Sequence, residues 1–220
     1  MLFPYFQAVL GWSGLRSTLA LMPIAAMTML AAGLAPRVTA RTGTRTTMAA
    51  GILLGGAGLA LMATLVSVDG GYLSILAGML AMGLGMGLTQ TPSTEAITSA
   101  LPRERQGVAS ALNDVTREFG TALGVALLGA VLTAGYRNAI NPRLDTFPTH
   151  TADTAREGIA NAIDTAGTQA PALIHAAQES FVDGWQQAMW TGVAVMTILF
   201  AYVLVQARRG RGWMTRTAVR

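Results

Sequence analysis

The chain has 220 residues, 52% of them hydrophobic and only 12% charged, with a mean hydropathy of +0.45. Average soluble proteins are about 25% charged, so this composition excludes an ordinary water-soluble globule and points to a chain whose solvent is largely lipid. It has no cysteine, which removes disulfides and thiolate metal sites, and all fifteen basic residues are arginine.

A bilayer core of about 30 Å needs roughly 20 apolar residues of helix. Before the first such run, "LFPYFQAVLGWSG" after Met1 has no basic region and no small-residue cleavage pattern. It reads as the end of a helix whose beginning is missing. Five uncharged runs then predict spans: Ser17–Pro36, Thr46–Val68, Tyr72–Thr94, Phe119–Gly135 and Gly184–Ala207. The runs are continuous and do not alternate, which argues for helices and against strands. The expectation is an all-α integral membrane protein with four spans over residues 1–135, an extracytoplasmic loop over 136–183, a fifth span over 184–207 and a basic cytoplasmic tail over 208–220.

The links carry an orientation signal. The first, "PRVTARTGTRT", holds three arginines and no acid; the second, "SVDGGY", holds only Asp69. The third holds Arg103 and Arg105 with Glu104, and Pro102 there ends one helix before the charges start the next. The fourth, Tyr136–Asp183, holds three arginines against six acids, and the tail holds five arginines and no acid. Basic links alternate with non-basic ones, the positive-inside pattern, and this predicts a cytoplasmic carboxyl tail. Within the fourth link, Leu173, Ile174, Ala177 and Phe181 follow Pro171 at helical spacing, which predicts a short amphipathic helix resting at the outer surface.

The start of the fourth span is the most polar place near any apolar run. On a helical wheel Asn113, Arg117, Gly120, Gly124 and Val131 share one stripe, while Asp114 and Glu118 lie four apart beside it. Opposite charges at these spacings pair. Gly120 and Gly124 form a small-xxx-small pair that predicts close approach of another helix. A charge costs at least about 2.5 kcal/mol at the middle of a membrane helix and much less near its end, so the group belongs at a boundary. Two readings stand side by side: an ion-pair cluster that locks helix ends, and a proton-linked or gating site at the inner mouth of a pathway. Glu95, at the end of the third span, either pairs with Arg103, Arg105 or Arg117 or serves in such a site.

Other features are structural. "GLGMG" lacks the strand and acidic partner of a nucleotide loop, so Gly83 and Gly87 predict helix packing, as do Gly51 and Gly55. His150 and His175 are lone polar-segment histidines, so no metal is expected. No Ser/His/Asp set, paired carboxylates or phosphate loop is present, which predicts no enzyme and no cofactor. The arginines punctuate apolar runs and do not line one face, so no nucleic-acid partner is expected; the expected partner is the lipid bilayer.

Three stretches together resemble the carboxyl-terminal part of a major facilitator superfamily transporter of the fourteen-helix drug:proton antiporter branch. "YFQAVLGWSGLRSTLALMPIA" is similar to an outer loop and helix ten, and "APRVTARTGTR" to the arginine-glycine loop before helix eleven. "GLGMGLTQTPSTEAITSALPRERQGVASALNDVTREFGTALGVALLG" is similar to helices twelve and thirteen. The resemblance implies a partial major facilitator fold, family helices ten to fourteen, with Met1 near the end of helix nine. It implies proton-driven export of small, often cationic or amphipathic compounds by alternating access. In the helix-thirteen motif it matches Asn113, Asp114, Arg117, Glu118 and Gly120, with Thr121 where a second glycine is usual. In the loop it matches Arg41, Gly43 and Arg45, with Ala40 where an acid is usual. It also implies that a small-molecule substrate requires the missing amino-terminal half, whose absence makes the chain incomplete alone. The alternative is a membrane-embedded interaction or assembly subunit, or a truncated product without transport activity.

Overall fold

The computed structural model describes residues 2–99, 102, 105–167 and 170–217, with side chains as far as Val205. Every regular element among the described residues is helical. Lipid offers backbone amides and carbonyls no partner, and an α-helix satisfies them within one segment.

The chain opens with α1 (Leu2–Pro4) and a π-helical turn (Tyr5–Val9). In α2 (Gly14–Leu19) the Ser13 hydroxyl caps the start, accepting from the Arg16 amide at 3.4 Å. Then come α3 (Met22–Thr42), α4 (Thr44–Leu65), α5 (Gly71–Ser99) and α6 (Gln106–Ile140), the last continuing into a 3-10 turn, Asn141–Arg143. Short α7 (Thr149–Glu157) and α8 (Ile159–Ala166) precede the long α9 (Pro171–Thr217). Five segments among the described residues are long and apolar enough to cross a membrane: Gly14–Thr42, Thr44–Leu65, Gly71–Ser99, Gln106–Arg143 and Pro171–Val205.

Helices outrun the apolar runs at their ends. A bilayer limits where apolar side chains lie; helical hydrogen bonding continues through polar residues in water. Hence α6 begins at Gln106, ahead of Phe119. The link "PRVTARTGTRT", expected as a loop, is helical except at Gly43, and Pro36 sits inside α3. Gly43 alone turns the chain, at φ +85°, a left-handed conformation open to glycine without a Cβ penalty. Its amide donates to the Thr39 carbonyl at 2.8 Å, and its own carbonyl accepts from the Thr47 amide at 3.1 Å. The amphipathic segment after Pro171 is also not a separate surface helix. It forms the first turns of α9 and buries Leu173, Ala177 and Phe181.

The chain divides into two compact units. One comprises Met1–Met22, Leu59–Gly78 and Thr121–Gly192. Its core is aromatic: Tyr5, Phe6, Phe181 and Trp185 are buried, and the Tyr5 and Trp185 ring centroids lie 5.7 Å apart. Long-range amide bonds tie its segments. Gln178 Nε2 donates to the Ala8 carbonyl at 2.9 Å, and Gln186 Nε2 to the Val66 carbonyl at 3.0 Å. Helix ends leave carbonyls without intrahelical partners, and these two side chains supply the donors. The Tyr72 hydroxyl does the same for the Ala20 carbonyl at 2.9 Å.

The other unit comprises Pro23–Gly58, Met79–Gly120 and Val193–Arg220. Here α3 and α4 press on α5 through glycine. A Cβ on Gly83 would stand 2.6 Å from the Ile24 carbonyl oxygen, and one on Gly87 2.5 Å from that of Thr28. On the α4 side, a Cβ on Gly85 would stand 2.5 Å from the Gly55 nitrogen. Without a hydrophobic force between helices in lipid, such close backbone approach supplies the association through dispersion.

Large apolar side chains elsewhere point outward, among them Met29, Leu73, Phe119, Leu123, Val125 and Ile198. In water this would be an aggregating surface. In lipid it costs nothing, because acyl chains solvate leucine as well as leucine does.

Candidate functional site

The ionisable candidates fall in the second unit. Asn113, Asp114, Arg117 and Glu118 occupy consecutive turns near the start of α6. Burial splits the group, even though Asn113 and Arg117 share a helical stripe. Asn113 is 7% exposed and continues a buried edge begun by Ala109, whereas Asp114, Arg117 and Glu118 are exposed. Asn113 Nδ2 lies 3.5 Å from Asp114 Oδ1 and donates toward it. The arrangement is therefore a neutral amide held inside, with two carboxylates and one guanidinium presented outward from the same helix.

Glu95 lies in the last turns of α5 and is exposed. Of its three expected partners, Arg103 lies outside the described residues, as does Glu104. Arg105 is exposed at the entry to α6, where Gln106 Nε2 donates to the Thr98 carbonyl at 3.3 Å and so ties the two helix ends. Arg41 and Arg45 flank Gly43 and are exposed with Arg37. The helical turn around Gly43 thus presents three guanidinium groups, a surface suited to anionic phosphate. Inside it, the Thr42 and Thr47 hydroxyls lie 3.1 Å apart.

The glycine candidates separate sharply. Gly83 and Gly87 meet α3 backbone, as described above. Gly120 and Gly124 meet nothing: a Cβ at either would stand in open space. The close helix expected on their stripe is not supplied by the described part of this chain. In α6 and α9, Gly135 and Gly184 meet each other: a Cβ on Gly135 would lie 2.7 Å from Gly184 Cα.

Sequence reading missed a polar centre in the first unit. Arg143 Nη1 donates to the Ala139 carbonyl at 3.1 Å, Ser180 Oγ at 2.9 Å and Asp183 Oδ2 at 3.1 Å. Its Nε lies 3.6 Å from Glu179 Oε2. The partners are 37 and 40 positions away, so no local spacing announces them. The only available signal was Ser180, Glu179 and Asp183 at helical spacing within a stretch read as a surface helix. Among the described residues no histidine, cysteine and acidic side chains gather as a metal site.

Long apolar helices, glycine-mediated packing and polar groups confined to helix ends define a multi-pass integral membrane protein. Residues 1–125 match the profile of the Major Facilitator Superfamily, and the chain belongs to that family. Relatives match along most of it. It is 28% identical over 203 residues to the multidrug efflux pump LfrA of Mycolicibacterium smegmatis, covering 92% of this chain and 39% of that protein. It is 26% identical over 208 residues to the multidrug resistance protein Stp of Mycobacterium tuberculosis, covering 89% and 38%. It is 29% identical over 212 residues to the tetracenomycin C resistance and export protein of Streptomyces glaucescens, covering 91% and 39%. The chain thus spans about two fifths of the length of these curated relatives.

Proposed function

We propose that the chain is the carboxyl-terminal portion of a proton-coupled multidrug exporter of the plasma membrane, acting on small cationic or amphipathic compounds together with an amino-terminal half. The single observation that carries this is the match along about nine tenths of the chain to proteins named for drug efflux and export. On this reading the carboxyl tail and the Gly43 turn face the cytoplasm, which the alternation of arginine-rich links supports.

Asn113, Asp114, Arg117 and Glu118, with Glu95 nearby in sequence order, then form the inner gate. Their support is chemical. Two acids and a guanidinium on one exposed helix face can exchange partners as a neighbouring helix moves, and buried Asn113 anchors that face. Gly120 and Gly124 offer the smooth surface on which the amino-terminal half seats, because nothing among the described residues covers them. No covalent step is assigned to any residue; the chemistry is binding and movement.

The test is a chimaera in which this chain replaces the matching carboxyl-terminal part of LfrA. Inverted membrane vesicles would be energised with a proton gradient and followed with ethidium as the fluorescent cation. Gradient-dependent ethidium movement is the expected result. A stably inserted chimaera that leaves ethidium unmoved, beside an active parent pump, would count against the reading.

A further inference from the structure

We propose that α6 and α9 hold, at the ends joined by the 136–183 link, a pocket for a primary ammonium group. This open surface depression, of about 390 Å³, is lined by Asn138, Ala139, Asp183, Gln186, Gln187 and Trp190, all within one compact unit. This inference does not rest on the exporter reading.

The lining offers three amides and one carboxylate, Asp183, its single charged group. Gln186 gives one Nε2 hydrogen to the Val66 carbonyl and keeps its amide oxygen, with the second hydrogen, for a ligand. Asp183 gives Oδ2 to Arg143 and retains Oδ1. Asn138 and Gln187 each add an amide oxygen and an amide NH2. Beside the pocket one guanidinium faces two carboxylates, Asp183 at 3.1 Å and Glu179 at 3.6 Å, and His175, whose Nδ1 lies 3.6 Å from Glu179, adds a positive charge only when protonated. The further bonds of Arg143 to the Ala139 carbonyl and Ser180 Oγ hold that guanidinium in place. The 136–183 link carries six acids against three arginines, so the wider field also draws cations.

These facts select the ligand class. An anion meets the surplus carboxylate. An apolar ligand leaves amides unpaired, at a cost. A divalent metal needs about six oxygens with several charged ones, and only one carboxylate lines the cavity. A primary ammonium has three N–H donors for Asp183, Gln186 and Asn138, and the half-exposed Trp190 ring flanks an attached alkyl chain. A quaternary ammonium has no N–H to give. Two sources carry the chemistry: the ethanolamine headgroup of a phospholipid, and a soluble alkylamine.

The experiment uses the full 220-residue chain purified in detergent. Native mass spectrometry would compare retention of phosphatidylethanolamine with phosphatidylglycerol. Calorimetry would compare hexylamine with hexyltrimethylammonium. A lipid source predicts about tenfold preference for phosphatidylethanolamine, and a soluble source about tenfold preference for hexylamine, as expected for loss of a charged hydrogen bond. Either preference should fall to parity in Asp183→Asn and in Asn138→Leu. The second variant touches no ion pair, so it keeps the test valid if the first fails to fold, with helical circular dichroism as the check. Absence of both preferences in the wild type, or a preference unchanged in folded Asn138→Leu, would overturn the proposal.

Discussion

Gly135 and Gly184 meet backbone to backbone: a Cβ on Gly184 would stand 2.6 Å from the Leu132 carbonyl oxygen and 2.7 Å from the Tyr136 nitrogen. No rotamer relieves such a clash, because both obstacles are main chain. Gly184→Ala should therefore destabilise the chain by roughly 1–3 kcal/mol, the usual cost of overpacking. Gly120→Ala and Gly124→Ala should stay within about 0.5 kcal/mol or stabilise, since alanine is the better helix former. Reversible unfolding in mixed micelles measures both, and equal losses at Gly184 and Gly120 would refute the contrast.

Gly43 makes a different demand. Its φ of +85° strains any L side chain, while space around it is open. Gly43→Ala should cost about 1–2 kcal/mol through backbone strain alone. Gly43→Asn should recover part of that, because asparagine tolerates the left-handed region better. The same unfolding assay reads the order Gly, Asn, Ala; an alanine variant as stable as the parent would show that the turn relaxes.

Gln178 joins positions 170 apart in the chain by donating to the Ala8 carbonyl. Gln178→Leu keeps size and leaves that part-buried carbonyl without its donor, at about 0.5–1.5 kcal/mol, the net worth of one such bond. The loss should appear as faster proteolysis of the amino-terminal segment before global unfolding. Unchanged cleavage there, with the variant folded, would mean that water or another group takes over.

The orientation proposal has a direct test. A reporter active only in the cytoplasm should be active when fused after Arg220 and silent when inserted after Gly158. The reverse result would invert every side assignment made above.

The gate proposal predicts function at Arg117. In the LfrA chimaera, Arg117→Ala would leave Asp114 and Glu118 without the guanidinium on their own helix and should slow ethidium export by about tenfold or more, an effect of about 1.4 kcal/mol or above on the transport step. Glu118→Gln should be milder. Export at parental rates in Arg117→Ala and Asp114→Asn, at matched protein levels, would leave the cluster as a dispensable boundary feature.

The five long apolar helices were legible in the sequence, because bilayer thickness acts on one dimension: it counts consecutive apolar residues. The polar group at Asn113–Glu118 was legible for the same local reason, since neighbours on one helix stay neighbours. Helix limits were less so. Arg37–Thr42 and Pro171–Asp183 are polar enough to read as links, yet their hydrogen bonding is helical.

What lies opposite each face was decided only by tertiary structure. Gly83 and Gly87 share the four-residue spacing of Gly120 and Gly124, but the first pair meets α3 and the second meets nothing among the described residues. Spacing shows that a helix surface is smooth; it says nothing of what approaches it. Likewise Arg143, Ser180 and Asp183 come together only because α6 and α9 touch at Gly135 and Gly184. That contact depends on two absent side chains far apart in sequence, and it places the guanidinium, the carboxylates and the pocket beside them.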